Sequence, residues 1–169
     1  MAGRRLLLDF RRGCIEIEPS RNAPRLRGVG WTTIRGEMRF GHLIVVRART
    51  EALNVNVLID TGSDTSLANT ALLRAVNVRR GRPPTFAERA ISATGTGALT
   101  DAVVLRHIRI ADLAVENVVA YVGDYHIFAL WRMLDEPTLL LGMDVISQAD
   151  ALAIDYGRGS VHFRVIGRR

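Results

Sequence analysis

The chain has 169 residues, 48% apolar and 24% charged, with a net charge of +6. That is enough for one domain with a real core, and no apolar run approaches the ~20 residues of a membrane-spanning helix. Cys14 is the single cysteine, which excludes an intrachain disulfide, and His42, His107, His126 and His162 are scattered without paired ligand spacing, so no metal site is expected.

All 23 basic residues are Arg, and their distribution is uneven. Residues 1–49 carry 11 Arg against 4 acids, a net of +7, whereas residues 50–169 carry 12 Arg against 13 acids, a net of −1. No aromatic residues interleave with the basic ones to stack bases. The Arg excess, with many Ala, Gly and Val, reads as the codon bias of a GC-rich genome rather than a nucleic-acid surface. The first residues begin like an export leader. The apolar run is only Leu6-Leu7-Leu8 before Asp9 and Arg11-Arg12 interrupt it. The sequence as given therefore places the protein in the cytoplasm, or outside it if an N-terminal region precedes this sequence.

Residues 6–17 read as a β-hairpin, apolar strands around a turn at Gly13. Residues 19–27 form a polar, basic linker with Pro19 and Pro24. From Gly28 the chain becomes strand-rich, so the division is 1–27, hairpin and linker, and 28–169, the main domain. Strands are predicted over 31–38 and 43–49, with a turn at Glu51-Ala52. The next strand, Val55 to Ile59, carries the β-formers Val55, Val57, Leu58 and Ile59 and runs into Asp60-Thr61-Gly62-Ser63. Gly62 lets the chain turn where a Cβ would clash, and Thr61, Ser63, Thr65 and Ser66 put four hydroxyls around Asp60. A buried acid needs partners or a shifted pKa.

Residues 67–76 read as a helix, 79–84 as a loop, and 90–99 as a hairpin with a Gly-bearing tip. Strands follow at 103–110 and 115–122. Residues 125–134 read as a helix whose stripe of Ile127, Phe128, Leu130, Trp131 and Leu134 belongs to the core. Glu136-Pro137 ends it. A strand at 139–141, a short helix at 144–148 and a closing hairpin at 152–163 complete the chain. The closing hairpin repeats the first at a constant offset: Asp9 with Asp155, Phe10 with Tyr156, Arg12 with Arg158, Gly13 with Gly159. Either the first copy is the end of a preceding lobe, or two terminal hairpins share ordinary turn chemistry.

Leu58-Ile59-Asp60-Thr61-Gly62-Ser63 resembles the active-site signature of aspartic proteases. Leu139-Leu140-Leu141-Gly142-Met143-Asp144-Val145-Ile146 resembles the apolar strand, glycine and helix that complete the catalytic loop of the retropepsin-like class. The resemblance covers about residues 28–165 and is greatest to bacterial single-lobe or duplicated aspartyl-protease-like proteins. It implies an all-β fold, a closed retropepsin-like barrel with short helices, one lobe per chain.

The resemblance also implies a chemistry. Two Asp carboxylates hold one water and share one proton, because like charges so close cannot both ionise. Asp60, Thr61 and Gly62 are the implied catalytic residues, with Leu141, Gly142 and Asp144 supporting the loop. Ser92, Ala93, Thr94, Gly95, Thr96 and Gly97 are the implied flap over substrate. No cofactor is required, and the substrate is a polypeptide. Asp64 and Asp144 suit bracing of turns, with Asp144 placed to cap the helix after Gly142. Asp155-Tyr156-Gly157 is set aside as a second motif: no apolar-Gly strand follows it, and Tyr156 cannot mimic Thr61. The second carboxylate is therefore expected from a homodimer, with Thr61 bonding across it and terminal strands in the interface, or from an upstream homologous lobe. A non-catalytic module of the same fold, for dimerisation or peptide binding, is the alternative.

Overall fold

The computed structural model describes residues 2–40, 43–83, 86–91 and 99–166. In chain order the elements are β1 (Arg4–Asp9), β2 (Cys14–Pro19), β3 (Trp31–Arg35), β4 (Glu37–Arg39), β5 (Leu43–Thr50), β6 (Leu53–Ile59) and β7 (Leu67–Ala68). Then come α1 (Thr70–Arg79), β8 (Glu88–Ile91), β9 (Leu99–Ile110), β10 (Leu113–Val122) and α2 (His126–Leu130). β11 (Thr138–Leu141), α3 (Met143–Ile146), β12 (Ala151–Asp155) and β13 (Ser160–Arg164) close the chain. It folds as two compact units, residues 1–46 with 146–169, and residues 47–145. No helix among the described residues is long and apolar enough to cross a membrane.

The first unit is built on a five-stranded antiparallel sheet in the order β2-β1-β12-β13-β3. Both terminal hairpins lie in it side by side, β1 against β12. The segment after β2 is held rather than loose. Ser20 and Ala23 are buried, Ala23 O accepts from Arg158, and Pro24 O accepts from Arg5 Nη1 at 2.5 Å. Residues 31–38, predicted as one strand, divide at Gly36 into β3, paired with β13, and β4, paired with the start of β5. A Cβ at Gly36 would run into Ile44 Cγ2 and press on Val45 O, so glycine makes room for the change of partners there.

The second unit runs β5-β6-β11-β7-β10-β9-β8. β5 also pairs with β9, Arg49 opposite Arg109, which closes six strands into a barrel. β6 lies between β5 and β11 in that barrel. Val55, Val57 and Leu58 are within 1% of full burial, as a central strand covered on both faces requires. Burying a side chain such as Leu58 contributes roughly 1.5–3 kcal/mol.

Three predicted helices are redrawn. Residues 67–76 begin as strand, because Leu67 and Ala68 bond into the sheet against Leu140 and Leu139. The helix then starts at Thr70 and extends to Arg79, because Asn69 caps it by accepting from Leu72 N–H at 2.9 Å. Residues 125–134 hold only the five-residue α2, since Arg132 adopts φ 54° and ends the helical path. Of the expected core stripe, Phe128 is fully buried while Leu130 is 55% exposed, and Met133 supplies the second buried side chain. The helix expected over 144–148 is α3, which starts one residue earlier, at Met143, and ends at Ile146.

Candidate active site

β6 and β11 run parallel, with Leu58 opposite Leu140 and Ile59 opposite Leu141. They therefore leave the sheet side by side, β6 into Asp60 and β11 into Gly142. Asp60 N–H donates to Leu141 O at 3.1 Å, the last rung of the ladder. The two loops then bind each other through backbone. Met143 N–H donates to Ser63 O at 2.8 Å and Asp144 N–H to Asp64 O at 3.1 Å. Gly142 permits this contact, since a Cβ there would lie 2.5 Å from both C and O of Thr65.

Side chains complete the lock. Ser66 Oγ donates to Asp144 Oδ1 at 2.8 Å and accepts from Gly142 N–H at 3.1 Å. Ser66 N–H donates to Asp144 Oδ2 at 3.0 Å. Val145 N–H donates to Asp144 Oδ1 at 3.0 Å, so this carboxylate meets both the start of α3 and the loop after Asp60. Behind the loop, fully buried Asn69 serves two elements at once. Its Oδ1 accepts from Leu72 N–H and Thr138 N–H, and its Nδ2 donates to Met133 O and Glu136 O, both at 2.7 Å. That network fixes the chain entering β11 to the start of α1.

The Asp60 carboxylate itself is lightly held. Its Oδ1 accepts the Gly62 N–H at 2.9 Å, and the residue is half-buried rather than buried as the sequence suggested. A Cβ at Gly62 would sit 3.2 Å from that same oxygen, so glycine keeps the carboxylate uncrowded. Two of the four hydroxyls expected around Asp60 bond elsewhere. Ser63 Oγ donates to Thr65 O at 2.7 Å and Ser66 Oγ to Asp144. The reason is that carbonyls in so tight a loop have no ladder partner and take donors from nearby side chains. Thr61 is half-buried beside Asp60.

Asp155 differs in kind. It is fully buried and accepts Ser20 Oγ at 2.5 Å, Gly157 N–H at 3.1 Å, Arg158 N–H at 3.0 Å and Arg158 Nη1 at 2.9 Å. Burial pushes its pKa up, but the Ser20 and Arg158 bonds outweigh burial and hold it below the ordinary 3.8. The implied flap residues 92–97 lie outside the described residues. The strands beside them, β8 and β9, pair antiparallel with Ile91 opposite Leu99.

Two residues of this site carry roles that the sequence reading did not assign. Asn69 had a signal, an Asn immediately before an apolar helical run. Ser66 had none, since its role follows from where β11 returns. Among the described residues, no group of three or more His, Cys, Asp or Glu is placed to hold a metal ion.

A family profile described as aspartyl protease matches residues 46–145. No curated protein matches the chain. Among solved structures, a retropepsin-like aspartic protease from Rickettsia conorii is similar at 18% identity and TM-score 0.51, covering 82% of this chain and 92% of that one. At that identity the likeness is one of fold: an all-β, retropepsin-like barrel with few short helices.

Proposed function

The chain belongs to the aspartyl protease family, and we propose that it is an aspartic endopeptidase lobe in which Asp60 is one of two carboxylates that activate water. The observation that carries this reading is the contrast inside the loop. The loops Ser63–Thr65 and Gly142–Asp144 are locked together by mutual backbone bonds and a glycine contact, yet the Asp60 carboxylate is left half-open, with a backbone N–H as its partner. A rigid frame around an under-bonded acid is what proton transfer needs. A binding module would have no evident need for that acid.

In the reading proposed here the second carboxylate is an Asp60 equivalent from a partner subunit or lobe. One member of the pair is ionised and takes the proton of the bound water. The other is protonated and polarises the scissile carbonyl of a polypeptide. The water oxygen bonds to the carbonyl carbon, and the amine departs with a proton from the dyad. The pair titrates as a unit. Thr61 bonds across to the partner, and residues 92–97 close over the substrate.

The test is hydrolysis of an unfolded protein at mildly acidic pH by the assembled, two-carboxylate form. The expected result is cleavage that a statine-type transition-state mimic blocks and a chelator does not. Cleavage stopped only by chelators would overturn the reading.

A further inference from the structure

β9 carries Arg106 and His107 at a point where its pattern breaks. Val103 and Leu105 are buried before them and Ile108 and Ile110 after them, so burial changes phase and two consecutive side chains are exposed. A regular strand exposes alternate ones. The partner strand shows the cause. The β9–β10 ladder runs through Leu105–Val118 and His107–Glu116 and skips Arg106 and Asn117. Asn117 has φ 54°, the left-handed conformation in which Asn is enriched. A local break in a ladder re-aims the side chains beside it.

Both side chains open onto a cleft of about 480 Å³ that Glu51, Arg80 and Arg82 complete. Arg80 is fixed there. Its Nε donates to both Glu51 oxygens at 3.0 and 2.9 Å, and its Nη2 donates to Glu51 and, at 2.7 Å, to Val104 O. Glu51 and Ala52 form a turn at φ 48° and 64°, where Gly or Asn is the usual choice. Glu51 in that place brings a carboxylate to the Arg80 guanidinium. Arg82 lies over Phe86, 4.8 Å from the ring centre, and meets Glu88 only at 3.5 Å. Arg106 makes no hydrogen bond or ion pair among the described residues. With Glu51 neutralising Arg80, the cleft keeps an unpaired Arg106 and a weakly paired Arg82. Next to it, exposed Arg49 stands directly opposite exposed Arg109 in the β5–β9 ladder, with Ala114 on the other side of Arg109. Like charges so placed destabilise a sheet. Arg109 is two residues from His107, about 7 Å along the strand.

We propose that this cleft binds a polyphosphate chain, inorganic or carried by a nucleotide. A carboxylate lies flat against one guanidinium fork, as Glu51 does on Arg80. Arg82 follows α1 and Arg106 lies on β9, so their donors come from different elements. A tetrahedral phosphate accepts from several directions at once and suits that arrangement. Further phosphates continue toward Arg49 and Arg109 and relieve their repulsion. None of these residues belongs to the Asp60 loop, so the site goes beyond the catalytic reading and does not depend on it.

The test is calorimetric titration of the full chain with sodium tripolyphosphate in about 0.1 M salt. One-to-one binding is expected, with orthophosphate at least about tenfold weaker. Arg106→Gln should weaken tripolyphosphate binding at least about tenfold and leave the urea midpoint unchanged, since Arg106 has no bond to lose. Arg25→Gln removes the same charge from an exposed residue that does not line the cleft, and should change binding by less than about twofold. Metal-free ATP binding as tightly as tripolyphosphate would assign the chain to a nucleotide, and binding of tripolyphosphate without ATP would assign it to inorganic polyphosphate. Either result supports the site. No binding at millimolar tripolyphosphate would overturn it. So would equal weakening by Arg106→Gln and Arg25→Gln, which would reduce the effect to overall charge. A hexaglutamate peptide that binds as tightly as tripolyphosphate would also overturn it, because the cleft would then be a surface for acidic polypeptide.

Discussion

Asp60 and Asp155 each follow or end an apolar strand and make the same first contact. Oδ1 accepts the N–H of the glycine two residues on, at 2.9 Å for Asp60–Gly62 and 3.1 Å for Asp155–Gly157. Beyond that shared turn the two diverge. Asp155 is fully buried, with Ser20, the Arg158 backbone and the Arg158 side chain completing its bonds. Asp60 is half-open and, among the described residues, is paired with no cation. The difference teaches that the same turn can leave its carboxylate open or enclose it, according to what surrounds it. Under the catalytic reading proposed above, a carboxylate that exchanges protons with a substrate has to be left short of partners. One that only joins strands is given as many as it can accept.

The sharpest way to break the comparison is Asp60→Asn. The side chain keeps its shape and its acceptor for Gly62 N–H, but cannot ionise. In the two-carboxylate form, protein hydrolysis should fall by about 10³-fold or more. The urea midpoint should stay where it was, since no ion pair or buried network is lost. Hydrolysis retained within a few-fold of wild type would mean that Asp60 is no more functional than Asp155.

Gly142→Ala attacks the frame and leaves the acid untouched. Its Cβ would meet the Thr65 carbonyl at 2.5 Å, and backbone cannot swing aside as a side-chain tip can. Separating the two loops should cost about 3 kcal/mol of stability. Activity should fall in whatever fraction remains folded, because Asp60 is positioned through the Leu141 and Ser63 contacts. Thermal unfolding together with activity per folded molecule separates the two effects. An unshifted midpoint would show that the loops are not held by this contact.

How much of this was legible in the sequence depends on the range of the interaction. Leu58–Gly62 and Leu139–Gly142 were visible because apolar β-formers followed by an obligatory glycine are local patterns. The all-β barrel followed from them by resemblance. What stayed hidden was set by distant partners. Leu67-Ala68 has helical neighbours on one side only and is drawn into the sheet by β11, 70 residues on, which no local propensity reveals. The apolar stripe of 125–134 has helical spacing, but Arg132 at positive φ cuts it, and Leu130 faces solvent. Ser66 looked like one of several hydroxyls beside Asp60. Its true partner, Asp144, is 78 residues away. The hairpin repeat was legible as a pattern, whereas the pairing of its two copies, β1 against β12, needed the fold.

Asp155→Asn should have a moderate effect on stability. Asparagine keeps an acceptor for Gly157 and Arg158 N–H but loses the charge that Ser20 and the guanidinium serve. Arg158 is 41% exposed, so solvent screens the ionic part. The expected loss is about 2 kcal/mol near neutrality, read from urea midpoints. Hydrolysis per folded molecule should not change. A loss of activity with no loss of stability would invert the roles assigned to the two aspartates.

The smallest effect concerns His162, which shares the polar face of the sheet with Asp155. It sits between Thr33 and Ser160, whose hydroxyls lie 2.9 and 3.0 Å from its two ring nitrogens. Burial pushes its pKa down. Asp155 pulls the other way, and Arg5 and Arg158 add to the depression, so the net is below the ordinary 6.5. The folded state thus binds the proton less readily than the unfolded chain. Its contribution is complete above pH 6.5 and is lost as pH falls from there through the folded-state value. Asp155, also depressed, has the same sign in a lower window, beginning below 3.8. Acid should therefore weaken the protein in two stages, first through His162 and then through Asp155. His162→Gln should flatten urea midpoints in the upper window and leave the lower one, while Asp155→Asn should flatten the lower window and, by removing the charge that favours protonated His162, deepen the upper one. A His162→Gln protein whose midpoints still fall as pH drops below 6.5, as in wild type, would show that the first stage belongs to another group.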